Sequence, residues 1–164
     1  MTMWNPNQPV YVPRVFRDDL TTEARRGAAL AGAVGFGMLS LGWMTIVVSL
    51  ILAFTVSPIL LPLILVGAAL MFFSFFVARR ILGATHVVRP TGVMVLGTLV
   101  ALVASWIVGA AVGGTAWLVT LGVPDSSRWI VAAVAFGIVL VADVLAGLLG
   151  WRWIARVLRP VAVV

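Results

Sequence analysis

The chain has 164 residues, 63% of them hydrophobic and 10% charged, with a mean hydropathy of +1.19 and a formal charge of +6. A soluble domain of this size cannot hide so much apolar surface, so lipid is the expected solvent for most of it. The basic residues, all Arg, stand where hydrophobic segments end and form neither a run nor an aromatic-interleaved patch, which argues against a nucleic-acid surface, and the lack of Cys excludes disulfides, thiolate metal sites and Cys nucleophiles.

Residues 1–26 read as a polar, cytoplasmic N-terminal segment. Pro6, Pro9 and Pro13 oppose helix up to about Val15. Beyond them Asp18, Asp19, Thr21 and Thr22 offer caps and Glu23 suits a first turn, so a helix is expected from about Leu20 directly into the membrane. Trp4, Tyr11 and Phe16 are placed to rest on headgroups. The first apolar stretch begins only near Gly27 and outruns the h-region of a cleavable leader, so it is read as a permanent span.

Four spans follow, at 27–54, 58–78, 91–121 and 129–151, forming a transmembrane domain over 27–156 with a short tail at 157–164. Ser57-Pro58 is a cap followed by Pro at the first helical position, and it opens the second span; Pro62 lies in the first turn. Arg79-Arg80 ends that span. The third span is long for a hydrocarbon core of about 30 Å, so it must tilt, protrude or break, with Gly113-Gly114 as the weak point. Pro124, Asp125 and Ser126 turn the chain into the fourth span, which Asp125 is expected to cap rather than pair with Arg128.

Arg14, Arg17, Arg25, Arg26, Arg79, Arg80, Arg89, Arg152, Arg156 and Arg159 fall on one side of this arrangement and Arg128 alone on the other. The positive-inside rule puts both termini and the middle loop in the cytoplasm. Trp117 and Trp129 would mark the outer interface, Trp151 and Trp153 the inner one. The expected fold is an all-α integral membrane protein, four transmembrane helices in two hairpins, N-in and C-in. The hairpins resemble each other weakly: Trp43 and Trp106 fall at similar depths, and Arg89-Pro90 recurs as Arg159-Pro160.

Two features invite a functional reading. Gly97, Ala101, Ser105, Gly109 and Gly113 place small residues at every fourth position of the third span, the spacing that lets helix backbones approach within a membrane. Shorter versions are Ala29, Ala33 and Gly37 in the first span and Ala142, Ala146 and Gly150 in the fourth. Packing inside the chain is the expected use, an interface with another membrane protein or a second copy the alternative. The other feature is Asp143, the one charged residue well inside a span, about 13 Å from Arg152 by helical rise. An ionised carboxylate there costs about 2.5–3.5 kcal/mol on insertion scales, so it must face protein or water. Ser74, Thr98 and Ser105 are donors at comparable depth.

His86, the single His, sits in the middle loop and is expected to be solvated; one His without Cys or neighbouring carboxylates completes neither a haem nor a metal site. No cofactor is expected. With no nucleophile–base pair, paired intramembrane carboxylates or phosphate loop, the chain is not expected to be an enzyme. The leading expectation is a non-catalytic accessory or interaction subunit of the bacterial cytoplasmic membrane, with lipid and another membrane protein as partners. The alternatives are a small proton- or cation-coupled transporter or channel using Asp143, and a phage-encoded protein of holin or exclusion type.

Overall fold

The computed structural model describes residues 14–158 apart from 86 and 88, and side chains from residue 22 onward. Trp4, Tyr11, the side chain of Phe16, His86 and the tail from Arg159 lie outside those described residues. The rest is helical: α1 (Arg14–Thr55), α2 (Leu63–Ala84), α3 (Pro90–Leu121) and α4 (Arg128–Val157), with single 3-10 turns at Pro58–Leu60 and Asp125–Ser127. All four helices are long and apolar enough to cross a membrane.

The helix ends differ from the sequence reading in instructive places. Helix α1 starts at Arg14, not near Leu20, because nothing from Arg14 to Leu20 breaks a helix once the prolines are past. Ser57 does cap: its side chain accepts from the Ile59 N–H at 3.4 Å. What it caps is a 3-10 turn, and α2 begins only after Pro62, which has no N–H to offer the carbonyl of Pro58. Arg79 and Arg80 end the apolar stretch but not the helix, which runs on to Ala84, since Arg is a good helix former. Helix α3 passes through Gly113-Gly114 unbroken. Asp125 pairs with Arg128 at 2.8 Å rather than capping α4; the cap position belongs to Ser127, which makes no side-chain bond.

Helix α1 is the axis of the fold. It packs along both α2 and α4, α4 packs along α3, and α3 meets α1 and α2 at few positions. A two-fold relating the hairpins would exchange the α1–α4 contact with an α3–α2 contact, and these are very unequal. Two close crossings hold α1 in place. Gly42 faces Gly67 of α2, where a Cβ on either residue would stand 2.6 Å from the other's carbonyl oxygen. Gly32 faces Gly147 of α4 more tightly still, so that a Cβ on either would overlap the other's carbonyl oxygen. Without a hydrophobic drive between helices in lipid, such backbone approach is the main source of packing energy.

The core lies at the arginine-bearing end, built from Ala28 and Ala31 of α1, Ala78 and Leu82 of α2, Val93 and Met94 of α3, and Trp151 and Ile154 of α4. Trp151 is its centre. The indole fills the space left by Gly97, where a Cβ would come within 2.5–2.9 Å of the ring, and reaches α1 at Gly32 and Gly35. Trp151 is therefore a core residue at 3% exposure and not an interface marker, unlike Trp153 at 56%. Towards the end carrying the two short turns α1 and α2 stay packed, but on α3 and α4 Gly109, Gly113, Gly114 and Gly137 have no neighbour where a Cβ would point.

Candidate functional site

Asp143 is the middle residue of α4, with fifteen helical residues before it and fourteen after. It is 2% exposed. The tight Gly32–Gly147 crossing sits one turn along α4 from it and brings the same face of α1 alongside. Ser40, two turns beyond Gly32, is thereby delivered to the carboxylate: its hydroxyl donates to Oδ2 of Asp143. The other oxygen, Oδ1, has no hydrogen-bond partner among the described residues. Such a half-satisfied buried carboxylate is costly to leave alone in a low-dielectric setting.

The pair lines a cavity of about 690 Å³ between α1, α3 and α4, touched by Met71 of α2. Its buried wall is Phe36, Ser40 and Asp143, and its exposed rim includes Trp43 and Trp106, at 59% and 78% exposure. Ser105 and Gly109 of α3 and Phe136 of α4 also line it. Comparison of the chain with protein-family models, curated proteins and solved structures gives no match. What the site does must therefore be argued from its own residues.

The small-residue ladder of α3 divides in two. Gly97 and Ala101 are buried against α4, where the crossing partner is Gly150. Ser105 and Gly109 face the cavity, and Gly113 is exposed with open space beside it. Asp143 and the middle of the ladder therefore meet at one place. Of the three donors weighed from sequence, Ser105 shares the cavity, Thr98 is half-buried, and Ser74 donates instead to the Met71 carbonyl in its own helix at 2.6 Å.

Sequence reasoning missed Ser40 and the glycine crossings. The first span's close-approach stripe is Ala28, Gly32, Phe36 and Ser40; of the Ala29, Ala33 and Gly37 expected from spacing, Gly37 is buried against Val144 of α4 while Ala29 and Ala33 are half-buried. In α4 the buried stripe is Asp143, Gly147, Gly150 and Ile154, so Ala142 and Ala146 fall beside it. Asp143 itself was the available signal: a buried carboxylate fixes which face of α4 is inward, and the stripe follows from it at steps of three and four. Among the described residues no group of three His, Cys, Asp or Glu side chains comes together.

Proposed function

We propose that this chain is a four-span protein of a bacterial cytoplasmic membrane, N-in and C-in, that works as a non-catalytic subunit by helix–helix association. The observation that carries this reading is the uncovered stretch of α3. Gly113 and Gly114 are exposed with nothing within the chain beside them, whereas Gly97 and Gly92 of the same helix are covered by Trp151 and Leu158. Glycine inside a helix costs about 1 kcal/mol relative to Ala. Two of them without an internal contact are supported by a second backbone approaching from outside. The arginine distribution supports the orientation.

Because the chain has no Cys, a single introduced thiol is unique. Gly113→Cys, treated with a short thiol crosslinker in native membranes, is expected to give one product of defined mass, and Gly114→Leu in the same chain is expected to suppress it. An identical pattern from Phe73→Cys, on the exposed face of α2, would refute the association reading.

A second reading, a small proton- or cation-coupled transporter, is favoured by the mid-helix carboxylate on a cavity wall. Its test is cation and proton flux in vesicles reconstituted with wild type or Asp143→Asn. Flux lost in the Asn variant, with the fold intact, supports it.

A further inference from the structure

We propose that the cavity between α1, α3 and α4 is a binding site for an amphipathic organic cation, a protonated amine or an onium ion on an aromatic body. The positive centre lies against Asp143 and the body lies between the aromatic walls. Binding of this kind is independent of the association reading, since it needs no partner chain.

Three observations select this occupant. The first is charge. Asp143 lies in the cavity wall with Ser40 on Oδ2 and Oδ1 buried without a partner among the described residues, so its charge is left uncompensated there. No Arg lies at this depth, and the chain has no Lys. A second copy of the chain would therefore bring no cation to the carboxylate. The second is the lining. Trp43 and Trp106 stand at the rim with Phe36 and Phe136 on the walls, and aromatic faces attract a cation that has shed its water. A few polar groups, Ser40, Ser105 and Asp143, converge in an otherwise apolar cavity of about 690 Å³, within the range of small-molecule sites.

The third is length. The lining runs from Phe36 to Val48 on α1, from Leu102 to Ala110 on α3 and from Phe136 to Asp143 on α4. At the helical rise these are stretches of about 18, 12 and 10 Å. A partner's membrane helix would need a groove of about 30 Å. Towards the arginine end the space is shut by the Gly32–Gly147 crossing and Trp151. The site has the dimensions of a molecule and not of a helix.

The test uses the full chain in phosphatidylcholine nanodiscs, with tetraphenylphosphonium as the probe and tryptophan fluorescence plus calorimetry as readouts. Wild type is expected to bind the probe saturably above the uptake of empty discs. The equal-sized anion tetraphenylborate is expected to show no such excess. Asp143→Asn, which keeps an acceptor for Ser40, is expected to weaken binding about thirty-fold or more. Trp106→Ala is expected to weaken it about two- to fivefold, the value of a cation–aromatic contact at an exposed ring. Gly109→Leu places a side chain into the cavity from a position with nothing beside it and is expected to abolish binding with the helical spectrum unchanged.

Uptake equal to that of empty discs overturns the proposal. So does binding of equal affinity in wild type, Asp143→Asn and Gly109→Leu, which would be partition into lipid. A polypeptide captured in native membranes by a thiol at Ser105→Cys, and not displaced by the probe, overturns it in favour of a partner helix.

Discussion

Substituting Gly147 by Ala places a Cβ against the carbonyl oxygen of Gly32 and 2.8 Å from the Cβ of Phe36. Neither neighbour is the free end of a flexible side chain. Carbon atoms pack at about 3.5–4.0 Å, so α1 and α4 must move apart by roughly 1 Å. A gap of that size forfeits a quarter to a half of each dispersion contact along the seam, and it stretches the Ser40–Asp143 bond one turn away. Overpacking of this kind costs about 1–3 kcal/mol. Gly109→Ala is the matched control: it has the same gain in helix propensity, but its Cβ meets nothing. The propensity gain cancels between the two variants. The expected difference is about 2 kcal/mol, or roughly thirty-fold in the folded-to-unfolded ratio. Unfolding by sodium dodecyl sulfate in mixed micelles, followed by far-ultraviolet circular dichroism, measures it. In the double variant Gly32→Ala with Gly147→Ala, the second methyl enters a seam already opened, so the combined loss should be smaller than the sum of the two single-variant losses. Equal midpoints for Gly147→Ala and Gly109→Ala would refute the crossing as a determinant of the fold.

Trp151→Ala empties the centre of the core and is expected to cost about 3–5 kcal/mol, whereas Trp153→Ala, on the exposed side of the same turn, should change the same unfolding midpoint little. For orientation, reporters fused after Arg26, near Ala84 and after Val164 are expected to report the cytoplasm, and one near Ser126 the exterior; an exterior C-terminus would refute the four-span arrangement.

Much of the architecture was legible because a helix long and apolar enough to cross a membrane needs a long apolar stretch. Apolar stretches bounded by Pro, Asp and Arg mark four spans, and the Ser57-Pro58 pair marks a turn whichever helix type follows. The seams were not legible, for a physical reason. A helix in lipid is apolar on every side, so hydrophobicity does not tell α1's partner-facing residues from its lipid-facing ones; Leu30, Val34 and Trp43 are exposed while Ala28 and Gly32 are buried. Side-chain size is the remaining signal, and Ala and Gly are frequent enough in α1 for two stripes one residue apart to look alike. Trp151 misled for a related reason: near an Arg at a helix end, Trp usually marks a headgroup region. Only the facing Gly97, far away in sequence, reveals that its ring has room inside. Asp143 was legible as a position, but its partner depended on the α1–α4 pairing, which no local pattern encodes.

The uneven closure of the bundle gives the surrounding lipid a part in its shape. Interhelical spacing at the arginine end is fixed by backbone touching backbone, with no freedom to expand. At the other end α3 and α4 stand apart around an apolar hollow of about 490 Å³. In a bilayer such a hollow does not stay void, because unfilled space forfeits contact energy on every side. Acyl chains would fill it, and only from the leaflet nearer the short turns. The two leaflets would then meet a solid column and a porous one. Chain length and unsaturation in that one leaflet, together with its lateral pressure, would set how far α3 stands from α4 there.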